Sequence, residues 1–395
     1  MNVNYILEGT VLQLDKKVRI TVELSRANDN RVVWSKNYEG EMKDIFGYMS
    51  TVAKEIATEL NQKLSVSLNK KLEKVPTQNI NAYNEYLQGE QLLKARSKDK
   101  MEVAILKFDK AIGLDPNFAD AYAQKASAYY LLGDDNHIDL KTSIKLVEQN
   151  ALTAIQLDAE NGMAYANLAK VYQKQNKWEQ ANASFKIALK NSPNDTQINY
   201  WYSLMLRSVG EVDKAILYST KAITLDPVYP TVFVGHVGNY MYAGKMKLAQ
   251  KALEDGKPLF GEFYMYYWAK GFYYIFQNDY ETALREFDKG FGMNHVGSFK
   301  RMMVYCQAKL GQKEAVETYL KSLKESPENY ENFATTYAGL GKADKRIEYL
   351  QKMSEIGITP NYLKVSPLFA FLHSDARFEA ILQKNGLVNP TNTVF

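Results

Sequence analysis

The chain has 395 residues, too many for one ordinary compact core, so several domains or a stacked array are expected. Its 49 basic and 45 acidic side chains leave a net charge of +4, too small to argue for a nucleic-acid partner. With 46% hydrophobic residues it is not a disordered chain, and its one cysteine, Cys306, excludes an internal disulfide and any multi-cysteine metal site.

No apolar run approaches the roughly 20 residues that a membrane-spanning helix needs. The start, Met1-Asn2-Val3-Asn4-Tyr5, lacks the charged-then-apolar layout of a signal peptide. A cytoplasmic chain is the default expectation. An extracytoplasmic site follows instead if the sequence is the end of a membrane-anchored parent.

Residues 1–66 differ in kind from the rest. Val18, Ile20, Val22 and Leu24 alternate with Arg19, Thr21, Glu23 and Ser25, the period of a half-buried strand. A strand over Tyr5–Leu14 joins it through Asp15-Lys16, and a third strand over Val32–Tyr38 follows the turn at Asn28-Asp29-Asn30. Ile45, Met49, Val52, Ala53, Ile56, Leu60 and Leu64 then repeat at helical spacing, with Asp44 placed to cap them. The words Tyr5-Ile6-Leu7-Glu8-Gly9-Thr10-Val11, Val18-Arg19-Ile20-Thr21-Val22, Val33-Trp34-Ser35-Lys36 and Asp44-Ile45-Phe46 resemble the second half of a TolB-like amino-terminal domain. That resemblance implies a bacterial signalling protein, in which an output domain such as a nucleotide cyclase, a winged-helix DNA-binding domain or a kinase commonly lies upstream.

The first half of that domain, a strand–helix–strand–helix unit, has no counterpart before Asn4. The sequence is then either a fragment of a longer protein or a natural short form. Both leave an unpaired strand edge, which predicts a homodimer through residues 4–14.

Residues 67–81, with Pro76 among Lys, Asn and Ser, read as a linker; Lys70, Lys71 and Lys74 belong to its solvated surface. From Ala82 the pattern changes to small residue, aromatic, small residue, proline. Ala181, Phe185, Ala188, Pro193 is followed by Ala215, Ser219, Ala222, Pro227, and 227 − 193 gives a period of 34. This resembles the tetratricopeptide repeat, a pair of antiparallel helices that buries its apolar face only by stacking on neighbours. The resemblance extends over residues 82–361 as seven to eight repeats, the second carrying an insertion around Gly133-Asp134-Asp135-Asn136-His137. Residues 362–395 read as capping helices and tail, with Phe369, Phe371, Leu372, Phe378, Ile381 and Leu382 covering the last repeat. The fold class expected is mainly α, a superhelical solenoid preceded by a small α+β domain of three strands and one helix.

Catalytic patterns are absent. His137, His236, His295 and His373 lie far apart, and no Ser or Cys stands in a nucleophile context. Gly244-Lys245 and Gly341-Lys342 lack the Ser or Thr and the earlier glycine of a phosphate loop, and Gly290-Phe291-Gly292 lacks a third glycine. No enzyme, cofactor or metal is expected.

The expected function is binding of a protein or peptide in the groove lined by the first helix of each repeat. Tyr200, Leu204 and Arg207 face it from the fourth repeat, Val234, Gly238 and Met241 from the fifth, and Trp268, Phe272 and Ile275 from the sixth. Aromatic side chains give large contact area at small entropy cost. A carboxylate clamp is not expected: Asn167 and Lys170 are candidates, but Ala166 stands where a companion lysine is needed. Two other roles stay open: the regulatory carboxy-terminal portion of a transcription factor or cyclase, and a self-assembling structural protein.

Overall fold

The structure is a computed structural model that describes residues 3–15, 17–41, 44–60, 69, 72–135, 137–360 and 362–388. It forms two compact units, Met1–Ala159 and Glu160–Phe395. The division falls between the second and third helix pairs.

The first unit opens with β1 (Tyr5–Leu14), β2 (Lys17–Arg26) and β3 (Arg31–Glu41), an antiparallel sheet in the order β1-β2-β3. Alternation along β2 puts Val18, Ile20, Val22 and Leu24 inside. Helix α1 (Ile45–Glu59) lies against β3, and Ile45, Tyr48 and Val52 pack on Val18, Ile20, Val22 and Tyr38. Asp44 precedes this helix but makes no side-chain cap hydrogen bond, because its backbone turns at φ −91° and ψ 5° rather than adopting the extended cap conformation. Leu64, Lys16, Lys70, Lys71 and Asn136, all named above, lie outside the described residues.

Two helix pairs complete the unit: α2 (Ile80–Leu93) with α3 (Lys98–Leu114), and α4 (Ala119–Asp134) with α5 (Leu140–Leu157). Gly89 lets the Phe108 ring seat directly on the α2 backbone; a Cβ there would lie 2.5 Å from that ring. Asn79 caps α2 by accepting from the amides of Asn81 and Ala82, and Asp139 caps α5 through Thr142.

The second unit holds six further pairs: α6 (Gly162–Lys174) with α7 (Trp178–Asn191), α8 (Thr196–Ser208) with α9 (Val212–Leu225), and α10 (Pro230–Tyr242) with α11 (Met246–Phe260). Then come α12 (Tyr264–Phe276) with α13 (Tyr280–Met293), α14 (Gly297–Lys309) with α15 (Lys313–Ser322), and α16 (Tyr330–Gly339) with α17 (Ala343–Glu355). The turn inside each pair passes through left-handed backbone at Asn176, Gly210, Gly244, Asn278, Gly311 and Gly341. Only Gly and, less readily, Asn adopt this conformation at small cost, so the glycines that ended no phosphate loop are helix-turn residues. The turn between α9 and α10 uses the opposite device. Asp226 leaves the helical region at φ −139° and ψ 88°, and Pro227 after it cannot continue α9.

After α17 the chain runs through a short 3₁₀ helix, Pro367–Leu372, to α18 (Ala376–Lys384). Phe369, Leu372, Phe378, Ile381 and Leu382 are buried, while Phe371 is exposed. This tail packs on the last pair, and it also reaches back to the third, fourth and fifth pairs.

Candidate functional site

The first helices α8, α10 and α12 carry the side chains expected to face a groove, and the structure sorts them by depth. Tyr200, Arg207, Met241 and Ile275 are buried. Leu204, Val234, Trp268 and Phe272 are half-buried. The Tyr200 ring lies on Gly235, where a Cβ would come within 2.4 Å of it, so α8 and α10 approach closely. Met241 joins a core with Phe233, Val237 and Tyr266, against which Val234 and Phe272 pack. Ile275 joins a second core with Phe287, Phe299 and Cys306, to which Trp268 and Phe272 also belong. The Trp268 ring lies 5.0 Å from Phe272, 5.6 Å from Phe287 and 5.1 Å from Phe299. These rings therefore join the packing of α12 to that of α13 and α14, and stay half-buried.

Arg207 organises the other part of the site. It leaves α8 in its last turn and donates from Nη1 to Gly235 O at 3.3 Å and to Asn239 Oδ1 at 3.1 Å. Gly238 makes room for it, since a Cβ there would lie 2.6 Å from Nη1. Asn239 is held in turn by donating to Ala215 O at 3.1 Å. The guanidinium carbon stands 4.9 Å from the centre of the Tyr242 ring and 3.9 Å from that of Tyr362. A flat, weakly hydrated cation against an aromatic face is favourable, more so where water is excluded. Burial pushes the Tyr242 phenol up to about 12, with the nearby guanidinium pulling the other way.

Tyr362 belongs to the tail, and its neighbours continue the contact. Lys364 Nζ donates to Val209 O at 3.1 Å, at the carbonyl end of α8 where helix dipoles favour a cation. Ser366, two residues further on, is buried. Further on, Trp178 Nε1 donates to Asn385 O at 2.7 Å, and Asn176 donates to Asn385 Oδ1 at 3.1 Å. Thr359 Oγ1 lies 2.7 Å from the same Oδ1. The tail thus follows the ends of α6, α8 and α10 where each first helix turns into its second. A second buried arginine, Arg346, holds the tail from α17: its Nη1 donates to Leu368 O, and its guanidinium carbon stands 3.9 Å from the Phe369 ring. Burial pushes Arg346 down to about 9.

The sequence places Arg207 on the groove side of the fourth repeat, whereas the structure buries it against Tyr242 and Tyr362; Tyr242, Asn239, Tyr362 and Lys364 were not among the expected groove residues. Tyr242 carries a local signal, following Gly238 by one helical turn. The tail residues carry none, because Lys364 and Val209 are 155 positions apart.

The clamp candidates serve packing. Asn167 and Lys170 are both buried, and Lys170 Nζ donates to Gln173 Oε1 at 2.9 Å. Buried Ser219 and His236 share a hydrogen bond of 2.9 Å, and burial pushes His236 down to about 4. Burial likewise pushes the Cys306 thiol up to about 12, which keeps it a neutral packing group. Among the described residues no group of His, Cys, Asp and Glu could hold a metal ion, and no helix is long and apolar enough to cross a membrane.

Residues 167–230 match the family model of the tetratricopeptide repeat. The transcriptional regulator HilA of Salmonella typhimurium is 22% identical over 142 residues, which cover 36% of this chain and 26% of that protein. A Rhizobium meliloti protein named for adenylate cyclase is 24% identical over 124 residues, 31% of this chain and 21% of that one. The chain therefore spans about a quarter or less of the length of these curated relatives. Among solved structures, the APC/C hetero-tetramer Cut9-Hcn1 superposes with a TM-score of 0.50 at 16% identity, covering 75% of this chain and 54% of that one. The chain is mainly helical, matches the tetratricopeptide repeat over residues 167–230, and carries a small three-stranded antiparallel sheet ahead of its helix pairs.

Proposed function

We propose that this chain is the protein-recognition region of a bacterial signalling protein, and that its partner lies against the first helices α8, α10 and α12. Tetratricopeptide-repeat proteins are interaction scaffolds. The observation that carries the finer reading is the half-buried pair Trp268 and Phe272, two large rings 5.0 Å apart on one such helix, each with part of its surface left to solvent. Half-exposed aromatic anchors are what a peptide interface uses. Co-purification of partners with the intact chain and with Trp268→Ala/Phe272→Ala tests it. Loss of a specific partner supports the reading, provided that Ile275→Val, a buried control in the same core, retains it. Equal recovery with all three proteins sinks it.

A second reading is favoured by the two curated relatives. We propose that the region regulates an output domain in the same polypeptide, of the transcription-factor or cyclase class that those relatives' names indicate. The reading frame upstream of Met1 in the genome tests this: a DNA-binding or cyclase domain in frame supports it, and a stop codon there overturns it.

The small sheet adds a proposal of its own, a homodimer paired along residues 4–14. Its support is the apolar exposure of β1, where Leu7, Val11, Leu12 and Leu14 are all more than half exposed. Light scattering on the chain and on Val11→Lys/Leu12→Lys tests it; a monomer in both contradicts it.

A further inference from the structure

We propose, resting on the homodimer reading above, that two copies of the chain join β1 to β1 antiparallel about a two-fold axis at Gly9. The two three-stranded sheets then run on as one. In that register Leu7 faces Val11 of the second copy, Ile6 faces its Leu12, and Glu8 faces its Thr10.

The hydrogen-bonding pattern shows which backbone groups of β1 are turned to the free edge. β1 and β2 pair antiparallel, with Tyr5 opposite Arg26 and Leu14 opposite Lys17. One step beyond, the Ala27 amide donates to Asn4 O at 2.9 Å, so Asn4 and Ala27 form a hydrogen-bonded pair. Bonded and open pairs alternate along an antiparallel ladder. Ile6, Glu8, Thr10 and Leu12 therefore turn their amides and carbonyls towards β2, while those of Leu7, Gly9 and Val11 point away from it. Leu7 lies opposite buried Leu24 and Val11 opposite buried Ile20, so both side chains share the face that carries α1.

This edge is undefended, and the opposite edge is not. β1 has one charge in ten residues, Glu8, and every described side chain on it is exposed. β3 carries Arg31, Lys36, Glu39 and Glu41, and α1 lies against it. Charges and a covering helix are what keep an edge from pairing. β1 is also apolar on both faces. Ile6, Leu12 and Leu14 are exposed on the face where Arg19 pairs with Glu39 and Ser35 donates to Glu23. A strand apolar on both faces belongs inside a sheet.

The sequence around Gly9 selects a second copy as the occupant. Outward from Gly9 the strand reads Glu8, Leu7, Ile6 in one direction and Thr10, Val11, Leu12 in the other. A two-fold axis there sets aliphatic against aliphatic on both faces and gives Glu8 a hydroxyl. An axis at Glu8 would oppose two carboxylates, and one at Thr10 would oppose Glu8 to Leu12. Like charges directly opposite are destabilising, and a carboxylate gains nothing from leucine. An axis between two residues would set side chains of opposite faces across from each other, so it is excluded.

Glu8→Cys and Thr10→Cys chains test the register, both at exposed positions. In the dimer these residues are an open pair with Cα atoms about 4.5 Å apart, within disulfide reach. Two copies of either variant alone hold their cysteines out of step, and buried Cys306 stays out of the reaction. Mixed and oxidised, the two variants should give at least about tenfold more linked dimer than either alone. Amide hydrogen exchange on the unaltered chain at low and high concentration is the second measurement. The Leu7, Gly9 and Val11 amides should slow by about tenfold or more on concentration, while those of Ile6, Glu8 and Thr10 change little. Preferential linking of another pair, or equal exchange at both concentrations, overturns the inference. If light scattering still gives a dimer that Val11→Lys/Leu12→Lys abolishes, the homodimer reading survives with a different register. A monomer at every concentration overturns both.

Discussion

The two ends of this chain treat their exposed apolar surface in opposite ways. At the amino-terminal end, Leu7 on β1 and Leu24 on β2 are direct cross-strand partners on one face of the sheet, yet Leu7 is 52% exposed and Leu24 is 3% exposed. At the carboxy-terminal end, the chain turns back on itself, and Phe369, Phe378 and Asn385 are buried by contacts with α6, α7 and α17 among other elements. A stacked or paired structure always has a last member with one uncovered face. Here one end covers that face with the chain's own tail, and the other leaves β1 open to solvent. An uncovered edge beside a completed core is where an added strand finds unmade hydrogen bonds.

The largest expected effect tests the covered end. Phe378→Ala removes a ring with no exposed surface and should cost about 3–5 kcal/mol of stability in urea unfolding. A loss below about 1 kcal/mol would mean that the tail is a loosely held appendage.

Acidification probes the helical stack from within. Buried His236 is held far below its ordinary value near 6.5, at about 4, with Ser219 and Tyr240 packed around the ring. Between those values the unfolded chain binds a proton that the folded chain refuses, so stability is full above pH 6.5 and falls as the pH drops towards 4. The contribution lost is about 3 kcal/mol. His236→Gln should flatten that part of the stability–pH curve, and an unchanged slope would contradict the assignment.

The contrast between the cross-strand partners comes next. Leu24→Ala should cost about 2 kcal/mol or more, and Leu7→Ala about 0.5 kcal/mol or less when the protein is measured at concentrations too low for self-association. Comparable losses would show that β1 is covered in solution. At the small end, Trp178→Phe deletes the indole donor to Asn385 O while keeping the ring, and about 1 kcal/mol should be lost. No loss would imply that this distant tie of the tail contributes little.

Much of the architecture was legible before the structure, for reasons that particular residues make plain. The small sheet announces itself by the alternation of Val18, Ile20, Val22 and Leu24, and two of the expected apolar helix residues, Ile45 and Val52, do pack on that core, while Met49 is exposed. The site was legible only in part. Arg207, Met241 and Ile275 occupy equivalent positions and are all buried, because the period gives the face of a helix and not how deeply a neighbour covers it. Asp44 failed as a cap because capping depends on backbone angles that residue type alone does not impose.

The sequence by itself determined everything that recurs within one helix pair: the helices, the breaks after Asp226 and its like, and the left-handed turns at Asn176, Gly210, Gly244 and Asn278 that follow one another at the repeat spacing. Those features rest on local backbone preferences, which each residue carries wherever it is placed. Only the tertiary structure decided that Tyr362 lies on Arg207, that Lys364 reaches Val209, and that Trp178 holds Asn385. Closing so long a loop costs entropy that grows only with the logarithm of its length, so nothing in the local pattern marks which distant residues will meet. That decision falls to the fit of a ring on a guanidinium and of a cation on a helix end.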